Sequence, residues 1–175
     1  MTTTSDDDRC VAEPISCIIT DVDGVMTDGR IIYDDTGRET KQFHVRDGLG
    51  IKLWMRAGYQ FGILTSRTSP VVQARATELG IDHVQQGAAN KLPVLQQMLD
   101  DMECDPTTVC YIGDDLPDLP AMRHVALGVA PGDAAQDVVR VADWVLGLGG
   151  GQGVLRELIE RLLRAQQRWE AMLPV

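Results

Sequence analysis

The strongest constraint on this chain is the stretch Ile15 to Gly29, Ile-Ser-Cys-Ile-Ile-Thr-Asp-Val-Asp-Gly-Val-Met-Thr-Asp-Gly. An apolar run rich in β-branched residues stops abruptly at Asp21, followed by Asp23 and Gly24. Residues 15–20 predict a strand buried on both faces, of the kind parallel sheets use centrally. Such a strand delivers its last side chains to the crevice where open α/β sheets bind ligands. Asp21 and Asp23 are two apart and share a face in extended chain, and Gly24 permits a tight turn without a Cβ penalty. Carboxylates so close stay ionised together only beside a cation. The bland reading is a strand end with turn-forming Asp residues. An EF-hand loop fails, because Met26 stands where that loop needs Gly and Ile32 where it needs Glu.

Downstream, Asp34-Asp35-Thr36-Gly37 separates two short β-prone runs, which predicts a hairpin over about residues 30–43, placed to act as a flap. Asp47 then reads as the N-cap of a helix with Leu49, Leu53, Trp54 and Ala57 on its apolar stripe and Gly58 as its stop. Strands are expected at residues 59–64, 83–85, 107–112, 126–129 and 144–146. Helices are expected at 70–79, from Lys91, and at 119–124 and 134–141. The glycine-rich stretch 147–153 reads as a linker or hinge, since it lacks the spacing of the phosphate-binding glycine motifs. A last helix from Val154 to about Met172 carries the stripe Val154, Leu155, Leu158, Ile159, Leu162 and Leu163. Strands alternating with helices at this spacing imply an α/β fold, a Rossmann-like parallel sheet flanked by helices. The expected organisation is a disordered acidic tail over residues 1–12 and one domain over 13–175, including a C-terminal helix and tail over 154–175. At 175 residues one domain can bury a real core.

Three expected strand ends carry polar groups: Asp21 with Asp23, Thr65, and Asp114 with Asp115, while Lys91 opens a helix between the last two. In a doubly wound sheet these converge on one edge. The set suits phosphoryl transfer: one carboxylate attacks phosphorus, others share a metal with the phosphate, and the lysine and hydroxyl hold phosphoryl oxygens. All-oxygen ligands and a phosphate substrate favour Mg²⁺.

Asp21-Val22-Asp23-Gly24-Val25, Thr65-Ser66, Lys91 and Gly113-Asp114-Asp115-x-x-Asp118 resemble the four motifs of the haloacid-dehalogenase superfamily of phosphatases. The longer segments Asp-Val-Asp-Gly-Val-Met-Thr-Asp-Gly, Phe-His-Val-Arg-Asp-Gly-Leu-Gly-Ile, Gln-Gly-x-x-Asn-Lys-Leu and Gly-x-Gly-Val-Leu-Arg-Glu resemble the 3-deoxy-D-manno-octulosonate 8-phosphate (KDO 8-phosphate) phosphatases, over about residues 15–170. That resemblance implies Asp21 as the nucleophile and Asp23 as acid and base, with Asp23 also lending its backbone carbonyl to Mg²⁺. Thr65 and Lys91 would hold the phosphoryl group, and Asp114 would complete the metal ligands with Asp115 and Asp118 behind it. It implies His44, Val45, Arg46, Asp47, Gly48, Lys52, Arg67 and Arg75 at the sugar-acid site. It further implies no large cap domain, and a homotetramer in which neighbouring hairpins and C-terminal tails close each site. Ser66 departs from the pattern, in which relatives usually carry Gly.

Net charge is −10, from 26 acids against 16 Lys plus Arg. That argues against nucleic acid or anionic membrane as partner, and an anionic substrate then needs locally gathered cations and a divalent metal. No segment has the length of a membrane span, the N-terminus is unlike a signal peptide, and scattered cysteines suit a reducing cytoplasm. The nearest alternative is a phosphatase for nine-carbon acids such as 2-keto-3-deoxynonulosonate 9-phosphate, whose members tend to carry an acid where this chain has Arg67. A non-catalytic assembly module is opposed by Asp21, Asp23, Lys91 and Asp114 occurring together. A receiver domain is opposed by the Asp-x-Asp-Gly-Val arrangement on an early strand. The tail from Arg164 through Trp169 to Leu173 either docks on its own core or lids a neighbour's site.

Overall fold

The computed structural model describes residues 6–173. Six parallel strands form one sheet: β1 (Cys17–Thr20), β4 (Gln60–Leu64), β5 (His83–Gln85), β6 (Val109–Ile112), β7 (Leu127–Ala130) and β8 (Trp144–Val145), in the order β5-β4-β1-β6-β7-β8. β2 (Ile32–Tyr33) and β3 (Glu39–Thr40) pair antiparallel as a separate hairpin. The chain runs from β1 outward through β4 to β5, then crosses back to β6 on the other side of β1. The order therefore reverses between β1 and β6, where doubly wound sheets bind ligands.

Every residue of β1 and β6 is buried, as strands covered on both faces require. Their side chains alternate between two cores. Ile18, Cys110 and Ile112 face one, which is covered by α1 (Asp6–Ala12), α2 (Val45–Arg56), α3 (Pro70–Leu79) and α7 (Val154–Ala165). Cys17, Ile19, Val109 and Tyr111 face the other, against α4 (Lys91–Asp101), α5 (Leu119–Met122) and α6 (Gln136–Val139). The α7 stripe is buried at all six expected positions.

Several local expectations give way to tertiary contacts. Residues 6–12 are a helix, not a disordered tail: Ala12 is in the core and Asp8 pairs with Arg161 at 2.6 Å; residues 1–5 lie outside the described residues. The N-cap of α2 is His44, whose Nδ1 accepts from the Arg46 amide. Asp47 instead caps a different helix: buried, it accepts from the Arg156 amide at 2.7 Å in the first turn of α7. Leu49 faces solvent, and Ile51 with Leu53 and Trp54 makes the buried face of α2.

The 147–153 stretch is no hinge. Gly150 is pressed so tightly onto the Asp23-Gly24 loop that a Cβ there would collide with the Gly24 carbonyl, and the Gly151 amide donates to the Val25 carbonyl at 2.9 Å. α7 ends at Ala165, and Gln167 turns the chain back at φ 58. Trp169 is then 3 % exposed within the chain's own core, Arg168 donates to the Ala57 carbonyl, and Arg56 donates to that of Met172. Gln166 meanwhile binds the carbonyls of Ala12 and Ile15, just before β1 begins, so this tail sits at the end of the sheet opposite Asp21. Within its own chain the 164–173 segment is thus anchored by core packing, away from this chain's Asp21; Pro174 and Val175 lie outside the described residues. Trp169→Ala should cost about 3 kcal/mol or more. Calorimetry would then show a melting temperature lower by roughly 6–12 °C, whereas an unchanged melt would remove Trp169 from the core.

Candidate active site

β1 ends at Thr20 and β6 at Ile112, side by side in register, so Asp21 and Asp114 emerge on either side of the reversal point. Gly24, at φ 96, makes the turn after Asp21-Val22-Asp23, and a Cβ there would strike the Asp114 carboxylate. Glycine is thus required twice over, by conformation and by space. Lys91 enters from the first turn of α4 with its side chain 1 % exposed, 2.9 Å from Asp21 and 2.6 Å from Asp118. Asp118 is fully engaged, accepting also from the Tyr111 hydroxyl at 2.7 Å and from the Asp114 and Asp115 amides. It organises the loop after β6 and fixes Lys91.

Carboxylate oxygens of Asp21, Asp114 and Asp118 lie within 4.8 Å of one another. Oδ1 of Asp21 and Oδ1 of Asp114 are buried without a hydrogen-bond partner among the described residues. Orphaned carboxylate oxygens are costly in a low-dielectric site. Two of them, hard and anionic, on adjacent strand ends fit a Mg²⁺ ion. Asp118 has no acceptor left over, so its place is behind the ligands. The electrostatics agree. Burial pushes Asp21 up to about 6 from an ordinary 3.8, opposed by Lys91 and reinforced by Asp118. Burial, then repulsion from Asp21 and Asp118, raises Asp114 to about 7. Lys91 is penalised by burial, yet Asp21 and Asp118 override that and hold it above its ordinary value, fully charged.

These groups line a cavity of about 300 Å³ together with Asp23, Thr65, Ser66, Arg67 and Asp115. Thr65 is buried at the end of β4, its backbone locked to Gln85 and Ala88. Ser66 is exposed at the rim with no left-handed backbone, so its Cβ is accommodated without strain. Asp115 is exposed and begins the 3-10 turn that carries Asp118. Of the expected sugar-acid residues, the structure brings only Arg67 to this cavity. His44 and Asp47 are spent on helix caps, Gly48 packs against Arg75, and Arg75 stacks over Phe43 and pairs with Glu78. Val45, Arg46 and Lys52 point to solvent from α2.

Sequence reasoning missed Lys41, Glu39 and Tyr111. Lys41 is buried and paired with Asp23, and Glu39 sits between Lys41 and Arg67. Their signal was the two-residue spacing of an acid and a base on a hairpin strand that follows the Asp-x-Asp turn. Tyr111 was hidden inside an apolar strand.

A family profile described as haloacid dehalogenase-like hydrolase matches residues 83–158. The chain is 42 % identical over 155 residues to the 3-deoxy-D-manno-octulosonate 8-phosphate phosphatase KdsC of Escherichia coli K12, covering 89 % of this chain and 82 % of the relative. It superposes with a TM-score of 0.92 on the crystal structure of the same phosphatase from Yersinia pestis, at 41 % identity over 94 % of this chain and 89 % of that one. With the Moraxella catarrhalis phosphatase, solved in complex with magnesium ion, phosphate ion and KDO, the TM-score is 0.91 at 38 % identity, covering 94 % and 95 %.

The raised carboxylates carry a pH signature. Without metal, folded Asp21 and Asp114 retain protons that the unfolded chain has already released. Their stabilising contribution is therefore complete below the unfolded value near 3.8 and is lost as pH rises through about 6 to 7. Metal binding requires both anions, so the gain in melting temperature on adding Mg²⁺ should be larger at about pH 8 than at about pH 5. Asp114→Asn should remove most of that gain. Equal stabilisation at both pH values would exclude these carboxylates as ligands.

Proposed function

From the premise that the chain belongs to the KDO 8-phosphate phosphatases of the haloacid dehalogenase-like hydrolases, we propose the following division of labour in its site. The enzyme is a phosphoric monoester hydrolase that releases phosphate and KDO from 3-deoxy-D-manno-octulosonate 8-phosphate. Asp21 attacks phosphorus, forming an aspartyl-phosphate as the bond from phosphorus to the sugar oxygen breaks. Asp23, two residues on, gives its proton to the departing alkoxide. It then takes a proton from the water that attacks the aspartyl-phosphate, which releases inorganic phosphate and restores Asp21. Lys91 and Thr65 hold the non-bridging oxygens, Lys91 remaining charged because Asp21 and Asp118 flank it. Asp118, through Lys91 and the Asp114 amide, keeps nucleophile and metal ligand in one frame. Asp21 and Asp114, with the Asp23 carbonyl, would hold Mg²⁺, which supplies positive charge to the phosphoryl oxygens. Arg67 at the rim is the cation for the substrate's carboxylate, offsetting the acidity of the chain as a whole.

The observation that carries this reading is the pair of unpartnered oxygens on Asp21 and Asp114 beside a buried, charged Lys91. A non-catalytic assembly module has no use for such a cluster. Assembly as a homotetramer is part of the proposal. It is supported by apolar side chains exposed on the hairpin, on α2 and beside the cavity: Tyr33, Val45, Leu49 and Leu116. A cytoplasmic site of action is supported by two buried free thiols, Cys17 and Cys110. No described helix is long and apolar enough to cross a membrane.

Asp21→Asn should fold and lose turnover by several orders of magnitude, because an amide does not attack phosphorus. Phosphate release by the purified variant checks this, and wild-type-like release would remove Asp21 as nucleophile. Across a panel of sugar phosphates, Mg²⁺-dependent release should be fastest with the eight-carbon acid. Faster turnover of a nine-carbon acid phosphate would reassign the substrate. Sedimentation velocity should give four chain masses, and a monomer would withdraw the assembly.

A further inference from the structure

Lys41 stands just after β3 of the hairpin with a side chain 1 % exposed. Lysine is among the residues least often buried, and burying its charge costs several kcal/mol unless partners meet it closely. Its partners are Asp23, in direct contact at Oδ1, and Glu39 at 3.5 Å. Arg67 lies 3.5 Å from the other Asp23 oxygen and 2.9 Å from Glu39. Asp23 and Glu39 thus alternate with Lys41 and Arg67 in a closed ring of two acids and two bases. The two cations are not equivalent, because Arg67 is 40 % exposed, lines the cavity and also takes part in a contact with the Tyr33 hydroxyl. A rim arginine that turns to meet a substrate's carboxylate must loosen its hold on Asp23. Lys41, sealed beneath the hairpin, does not have to move.

We propose that Lys41 is a positioning residue for the established reaction: it holds Oδ1 of the Asp23 side chain, so that Oδ2, released as Arg67 turns to the substrate, carries the proton to the leaving-group oxygen. This rests on the reading of Asp23 as acid and base. A short aspartate side chain otherwise turns about two torsions. Proton transfer needs the oxygens about 2.6–3.2 Å apart, and a misplacement of about 1 Å can cost on the order of a hundredfold. Lys41 itself transfers no proton and touches no substrate. The hairpin is then part of the catalytic apparatus as well as a wall.

The test uses the full-length, Mg²⁺-loaded enzyme and two substrates. One is the sugar-acid phosphate, whose alkoxide needs a proton to leave; the other is p-nitrophenyl phosphate, whose leaving group does not. Asp23→Asn alone tests the underlying reading: kcat/KM, which reports steps up to aspartyl-phosphate formation, should fall far more for the sugar phosphate. Without that difference the reading of Asp23 fails, and the inference about Lys41 with it. Given that difference, Lys41→Gln should lower kcat/KM for the sugar phosphate about tenfold or more and that for the aryl phosphate by less than about threefold. In the Asp23→Asn background it should add less than about twofold, since a cation that acts through Asp23 has nothing left to position. Equal losses on both substrates would overturn the proposal in favour of a structural tie. So would a higher KM for the sugar phosphate with unchanged kcat, an additive loss in the double variant, or no loss at all. Lys41→Met, which keeps the length of the chain, is measured beside Lys41→Gln, and failure of both to fold would make Lys41 a structural lysine only.

Discussion

Everything at this site depends on one buried cation. Lys91 lies between Asp21 and Asp118 at 2.9 and 2.6 Å, and without it two carboxylates would face each other in a medium that screens them poorly. At separations under 4.8 Å two like charges repel by about 3 kcal/mol or more at an effective dielectric constant near 20. One lysine cannot neutralise Asp21, Asp114 and Asp118 together. Burial, reinforced by that deficit of positive charge, pushes Asp21 and Asp114 toward protonation, and a divalent cation relieves it. Asp118 takes no part in that deficit's resolution. Its oxygens are held by Tyr111, Lys91 and two backbone amides, so it acts as the fixed post against which Lys91 is set.

The post is useful only because the strands beneath it are rigid. β1 and β6 are buried along their whole length and joined in register, which sets the separation of Asp21 and Asp114 without reference to their side chains. Above the strands, two loops without regular structure are fixed by close packing. Gly24 fits under the Asp114 carboxylate, and Gly150 fits over the Gly24 carbonyl. Asp47 then ties α2 to the first turn of α7, immediately after the glycine stretch. A helix at the far end of the sequence is in this way coupled to the turn that follows Asp21. The coupling runs through hydrogen bonds and excluded volume, which need no flexibility to operate.

The charge distribution follows the same division. The chain is strongly acidic overall, yet Lys41, Arg67 and Lys91 all lie at or beside the cavity lined by Asp21, Asp23 and Asp114. A low-dielectric cleft focuses such charges, so an anionic substrate meets a local field that the net charge does not describe.

The α/β architecture, the strand ends at Asp21, Thr65 and Asp114, and Lys91 at a helix start were all legible because each depends on local chemistry. Apolar runs, turn-forming glycines and polar residues at run ends carry their meaning within a few positions. What tertiary structure alone decided lies in pairings across long separations. Asp47 has the local chemistry of a cap, but which helix it caps depends on where α7 crosses α2. The 147–153 glycines look like a hinge until the Gly24 loop is set against them. Trp169 looks like a projecting tail until the turn at Gln167 returns it to the core. Arg75 and Lys52 were assigned to the sugar site by position in a motif, yet packing against Phe43 and exposure on α2 keep them off the cavity wall, while Lys41, behind that wall, took a place against Asp23 that no motif announced. Local sequence determines which chemistry a residue can offer; only the packed chain determines which partner receives it, because hydrogen bonding, charge pairing and close packing are resolved by distance in space and not along the chain.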